Sequence, residues 1–198
     1  MFVILSHQRA GSNLLRTLLD SHPDLTCYGE GWSDHTPHPI PEPEQVNWQK
    51  NEGFMVKYDK IINHPERVAF LRKAKIIHIK RRNLENQAAS YGAMRQLKLP
   101  GFLVEKPNAS PVEVRLKHIH GKRGIKRILK FQRAIEEMNF KNLIEVYYED
   151  ITHDKNITLL PAIKAKPILD FLEVPSQDLK TTITKTQLYE IGVGKGKR

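Results

Sequence analysis

Apolar positions in this chain fall into short unbroken runs that alternate with stretches of helical spacing. Phe2-Val3-Ile4-Leu5 has no polar interruption, the pattern of a strand buried on both faces of a parallel sheet. Ser6 to Gly11 is polar and turn-prone, and Leu14, Leu15, Leu18 and Leu19 follow on one face of a helix. A second strand-turn-helix unit begins at Lys75, with a strand over Ile76, Ile77 and Ile79, a polar turn from Arg81 to Asn83, and a helix from Leu84 to Gln96. Between the two units, Phe54-Met55-Val56 predicts another strand, and His64 to Lys73 a helix leading into the next one.

Further along, Ile128, Leu129, Ile135 and Met138 share a helix face from Ile125 onward. Asn139 to Asn142 breaks that helix ahead of a strand from Leu143 to Tyr148. Strands alternating with helices imply an α/β architecture, a central parallel sheet flanked by helices and joined by right-handed crossovers. The length of 198 residues suits one domain spanning 1–198. Two irregular stretches interrupt the alternation. His35 to Glu44 carries four prolines, and Leu99 to Pro111 carries three more with Asn108 and Ser110, as expected either for lids and binding loops or for disordered segments.

Charge adds a constraint. The formal net charge is +10 and the isoelectric point about 9.7, which calls for an anionic partner without choosing which one. The basic clusters, Lys80-Arg81-Arg82, Lys122 to Arg127 and Lys195 to Arg198, are scattered. No long basic tail binds nucleic acid as an arm, so a folded anion site is the better expectation. A single cysteine, Cys27, excludes an internal disulfide and a cysteine cage for metal, and a reducing, cytoplasmic setting is expected. Met1 to Leu5 is too short for a signal peptide, and no run reaches the roughly 18 apolar residues of a membrane span. His118 and His120 alternate as residues of a strand face would, but no third ligand stands at a recognisable spacing, so no metal is expected.

The segment Ser6-His7-Gln8-Arg9-Ala10-Gly11-Ser12-Asn13 lies where a buried strand hands over to a helix, the place where free amides and the helix dipole make an anion site. Gly11 permits close backbone approach, Ser12 and Asn13 offer side-chain donors, and Arg9 offers permanent charge. The same residues also fit a plainer assignment, with Ser12 a helix N-cap, Gly11 a turn and Arg9 a solvated charge. A triphosphate loop would need a glycine, four residues, then Gly-Lys-Ser/Thr, and this segment has neither the first glycine nor the lysine.

Arg9-Ala10-Gly11-Ser12-Asn13-Leu14-Leu15 resembles the 5′-phosphosulfate loop of sulfotransferases that use 3′-phosphoadenosine 5′-phosphosulfate (PAPS), with Asn13 in place of the usual hydroxyl residue. Lys75 to Asn83 resembles the strand and turn that open that family's 3′-phosphate motif, an arginine followed eight residues later by a serine; here these are Arg82 and Ser90, with Leu84 where many members have proline. Gly53 to Tyr58 is similar to a lysine-containing strand of the bacterial branch. Val146-Tyr147-Tyr148-Glu149-Asp150-Ile151 and Phe171-Leu172 resemble two later family elements. The likeness runs in order from about Phe2 to Pro175.

This resemblance implies the P-loop-like sulfotransferase architecture and transfer of a sulfuryl group from PAPS to a hydroxyl, releasing adenosine 3′,5′-bisphosphate. It implies that Arg9, Ala10, Gly11, Ser12, Asn13 and Leu14 hold the 5′-phosphosulfate, that Arg9 also stabilises charge on the bridging oxygen, and that Arg82 and Ser90 hold the 3′-phosphate. Glu30, 21 residues beyond Arg9 in a Gly29-Glu30 pair, stands where the tyrosylprotein branch places its catalytic glutamate. His7 and His22 are the fallback bases. The bacterial-type motifs imply a hydroxyl acceptor, a saccharide or small metabolite, and the resemblance places the acceptor loops at Trp32 to Trp48 and Leu97 to Arg123 without indicating their chemistry. Competing readings are a kinase-like enzyme on the same sheet and a non-catalytic basic module for polyanions or nucleic acid. Gly192 to Arg198 resembles a Gly-Lys-rich segment that touches the 3′-phosphate in some members, but it lacks the expected tryptophan, and a frayed basic terminus is the preferred reading.

Overall fold

The computed structural model describes residues 1–33, 40–96, 112–116, 118–152, 159–181 and 189–193. The chain runs β1 (Phe2–Ser6), α1 (Ser12–Asp20), β2 (Thr26–Glu30), β3 (Glu52–Lys57), α2 (Pro65–Leu71), β4 (Lys75–Lys80), α3 (Leu84–Gln96), β5 (Val112–Leu116), α4 (His118–Glu137), β6 (Leu143–Tyr147), the single turn α5 (Tyr148–Ile151), β7 (Leu159–Leu160), α6 (Ala162–Leu172), β8 (Leu179–Lys180) and β9 (Tyr189–Val193). Five strands form one sheet in the order β2-β3-β1-β4-β6, and every neighbouring pair is parallel. β5 and β9 form a separate parallel pair, and β7 and β8 an antiparallel one.

β1 is the central strand, which explains its unbroken apolar run, because all five of its residues are buried. Phe2 and Ile4 face one layer with Leu15, Leu18 and Leu19 of α1 and Ile168 and Leu169 of α6. Val3 and Leu5 face the other, with Leu71 of α2 and Ile135 of α4. Each such side chain contributes about 1.5–3 kcal/mol when fully buried, so the two layers clamp the sheet from both sides.

The expected α/β arrangement is therefore present, with differences in detail. β2 and α6 carry no pattern that predicts them: exposed and buried residues alternate over only five positions in β2, and α6 contains Pro167. The helix expected from Ile125 starts earlier, and His118 and His120 lie in its first turn rather than on a strand. Leu129, expected on the buried face, is 40% exposed. Asn139, at φ 49°, ends that stretch as its composition predicts. Among the described residues no helix is long and apolar enough to cross a membrane.

Candidate active site

The carboxyl ends of β1, β2, β3, β4 and β6 open on one edge of the sheet. From β1 the chain leaves to one face through α1, and it returns from β3 to β4 across the other face through α2. A crevice of this kind, outside the carboxyl ends at the switch in strand order, is the usual ligand position in such sheets. The segment after β1 is shaped by two left-handed residues, Arg9 at φ 62° and Gly11 at φ 104°. Gly11 is the N-cap of α1, no side chain caps the helix, and no acid stands in its first turn. Its first amides and dipole are thus turned toward the crevice without a side-chain partner. Ser12 is the first residue inside the helix rather than its cap.

Tyr148 closes one side of this loop. A Cβ at Gly11 would run into the Tyr148 ring, in a backbone conformation that disfavours any side chain. Gly11→Ala is expected to cost about 1–3 kcal/mol, to lower the melting temperature and to weaken anion binding at the loop, as thermal denaturation with and without ligand would measure.

Lys57, at the end of β3, enters the loop from the neighbouring strand. It pairs in register with Ser6, and its Nζ donates to Ser6 Oγ at 3.2 Å and to Ser12 Oγ. Burial pushes its pKa below the usual lysine range, opposed by the charges of Glu30 and Asp59. Glu30 ends β2, the strand beyond β3, after a register shift between Cys27 and Glu30. Burial raises its carboxyl above the usual range, with Lys57 pulling it back down. A half-buried acid thus lies within electrostatic reach of a half-buried cation at the mouth of the phosphate-type loop.

On the other side of β1, Arg9 Nε donates to Ser90 Oγ of α3 at 3.0 Å, and Gln87 Nε2 donates to the Gln8 carbonyl at 3.0 Å. The first loop and α3 are tied together across 81 residues of sequence. Arg82 is exposed and holds Asp150 through two bonds of 2.6 and 2.8 Å, with its guanidinium 4.2 Å from the centre of the Tyr147 ring. Glu149 accepts from the backbone amides of Arg82 and Asn83 at 3.0 and 3.2 Å. Arg81 lies 4.1 Å over the Tyr148 ring. Its buried Nε has no hydrogen-bond partner among the described residues. An unpartnered guanidinium nitrogen beside the ring that closes Gly11 fits an anion.

No protein-family model matches the chain, and no curated protein does. Solved structures do. A mouse sulfotransferase, SULT7A1, complexed with PAP, superposes with a TM-score of 0.53 at 17% identity, covering 89% of this chain and 59% of the mouse chain. A sulfotransferase from Alicyclobacillus acidocaldarius gives 0.56 at 13% identity over 91% of this chain and 83% of its own. The sulfotransferase domain from the curacin biosynthetic pathway gives 0.53 at 17% identity, over 89% and 75%. The chain has the sulfotransferase fold. It spans less than two thirds of the mouse protein.

In this sulfotransferase fold the sequence-derived residues sort by position. Arg9, Ala10, Gly11, Ser12, Asn13 and Leu14 form the β1–α1 loop and the first turn of the helix, with Ala10 buried and Leu14 packed on the core. Ser90 is joined to Arg9, whereas Arg82 is held by Asp150. His22 is buried, donating from Nε2 to the Pro175 carbonyl at 2.9 Å and accepting the Asp24 amide on Nδ1 at 3.1 Å. Both nitrogens are committed to closing the turn after α1. His7 is buried among the rings of Tyr58, Tyr91 and Phe131, and burial lowers its pKa. Lys57 and Arg81 were not singled out from sequence as site residues. The lysine-containing strand from Gly53 to Tyr58 was the available signal for the first, and the extra arginine beside Arg82 for the second. Residues 34–39 of the first acceptor loop, 97–111 and 117 of the second, and 194–198 of the basic terminus lie outside the described residues.

Proposed function

We propose that the protein is a sulfotransferase, moving a sulfuryl group from PAPS to a hydroxyl acceptor, a saccharide or small metabolite. The observation that carries this reading is the bond from Arg9 to Ser90, which brings the two phosphate-type motifs of the sequence to one crevice in the sulfotransferase fold. The PAP complex of the structurally similar mouse enzyme supports it.

The uncapped amides of α1, Ser12 and Arg9 would hold the 5′-phosphosulfate, with Lys57 donating from beneath. Ser90, Arg82 and Arg81, whose Nε has no hydrogen-bond partner among the described residues, would hold the 3′-phosphate, Arg82 exchanging Asp150 for it. PAPS, when bound, supplies the sulfuryl group and a stable leaving anion. The protein's task is positioning and charge stabilisation. Glu30 takes the acceptor hydroxyl's proton as the new S–O bond forms and the bond from sulfur to the bridging oxygen breaks. The charge left on that oxygen faces Arg9 and Lys57. Arg9 keeps its proton, so its contribution is electrostatic.

Calorimetric titration with adenosine 3′,5′-bisphosphate, with adenosine 5′-monophosphate and ATP as controls, tests the reading. The bisphosphate is expected to bind best, and Arg82→Ala to weaken it about tenfold or more while leaving the monophosphate little changed. ATP binding at least as tight as the bisphosphate would favour the kinase-like alternative. Equal, salt-sensitive binding to any polyanion would favour a non-catalytic basic module.

A further inference from the structure

Helix α4 carries a charge pattern that the proposed transfer site does not use. Lys122, Arg123, Lys126, Arg127, Lys130 and Arg133 are all exposed, and no acid occurs between Glu113 and Glu136. These six cations account for more than half of the net charge of +10. None of them forms an ion pair with a described residue, whereas Glu136 at the far end of the helix pairs with Lys80 at 3.1 Å. Concentrating like charges on one helix face destabilises that helix by a few tenths of a kcal/mol for each i,i+4 pair. The pattern calls for an anionic partner.

The stripe begins at the crevice. Gly124 lets α4 pack directly against Ala88 of α3, two residues from Ser90. Arg127 lies 5.3 Å over the Phe131 ring, and Phe131 meets the ring of His7, in the segment that follows β1, at 5.7 Å. From there Lys130 and Arg133 continue away from the site. Residues 122 to 133 span about 16 Å at the helical rise of 1.5 Å per residue, a track suited to several anionic groups in succession.

We infer that the exposed cationic face of α4 holds an anionic polysaccharide, carboxylated or already sulfated, and feeds its hydroxyls to the crevice. This rests on the sulfotransferase reading and gives the acceptor a chemical class. The apolar side of α4 is spent on the core through Ile128 and Ile135, and the exposed Leu129 by itself makes no apolar face to insert into a lipid interface. Its sole aromatic in this stretch, Phe131, lies beneath Arg127, which leaves no stacking platform for nucleic-acid bases. An acidic saccharide needs neither and carries hydroxyls along its length.

The test compares the wild type with the triple variant Lys126→Glu, Lys130→Glu, Arg133→Glu, all at exposed positions and none among the residues proposed to hold PAPS. The probes are polygalacturonate, neutral dextran, a short duplex DNA of matched charge, and phosphatidylserine vesicles, each titrated at two salt concentrations. Polygalacturonate is expected to bind in preference to the others, more weakly at high salt, and the variant is expected to lose about tenfold or more of that affinity. Titration with adenosine 3′,5′-bisphosphate, run alongside, is expected to be the same in both proteins. Undiminished polygalacturonate binding by the variant overturns the inference, and so does tighter binding of DNA or vesicles. Failure of the wild type to bind the bisphosphate removes the transferase reading instead, and with it the acceptor role of the stripe.

Discussion

Glu30→Gln is expected to lower sulfuryl transfer by about 10²- to 10⁴-fold, the range of a lost general base, while the affinity for adenosine 3′,5′-bisphosphate stays unchanged. The glutamine keeps the shape of the side chain at the end of β2 and removes only its capacity to take a proton. The pH dependence gives a second readout. Burial raises the Glu30 carboxyl above the usual carboxylate range, so wild-type activity falls as the pH drops through that raised value, and the variant's residual activity lacks this acid limb. Stability moves the other way. A folded-state pKa above the unfolded one means that the folded protein holds the proton longer, and stability declines as the pH rises from the unfolded to the folded value. The glutamine variant is free of that decline, so its melting temperature near neutral pH should equal or exceed that of the wild type. A marked fall in melting temperature would assign Glu30 a structural role instead.

Lys57→Met is expected to reduce turnover by about 10²- to 10³-fold, as for loss of one preorganised donor at a developing anion, with a smaller effect on bisphosphate affinity. Methionine fills similar space but donates nothing to Ser6 or Ser12. Burial lowers the Lys57 pKa, so the folded state gives up the proton more readily than the unfolded chain. The resulting cost to stability is present below the folded pKa and relieved as the pH rises through it. Removing the charge therefore need not unfold the protein. It has a consequence at Glu30: Lys57 is the larger of the two charges, with Lys60, that lower the Glu30 pKa, so the acid limb of the pH–rate profile should move to higher pH in Lys57→Met. A limb that stays in place, measured with kcat over a pH series, would separate the two residues functionally.

Much of the scaffold for these residues was legible because it depends on local burial. Phe2 to Leu5 is continuously apolar since both faces of β1 are covered, and Leu84 to Gln96 forms one helix with the predicted bounds. The Gly11 turn was legible as well, because a strand followed by a polar turn and a helix start places amides in a known direction. Elements lacking a distinctive period were missed. β2 is short and lies at the sheet edge, where one side of the strand has no neighbour and the hydrophobic demand is weaker. α6 is interrupted by Pro167, which obscures its spacing.

The site divides along the same line. Sequence alone determined that Arg9 to Leu14 would lie at a strand-to-helix turn and that Ser90 would ride on the helix after β4, since both follow from neighbouring residues. It reported no lysine in the first loop. Tertiary structure supplied one, because the order β2-β3-β1 brings β3 beside β1 and the register of Ser6 with Lys57 aims the ammonium at Ser12. The same order sets Glu30 one strand further out, and the packing of α3 joins Ser90 to Arg9. Periodicity records how deeply a segment is buried. Which strands become neighbours, and so which charges meet, depends on the packing of both sheet faces at once.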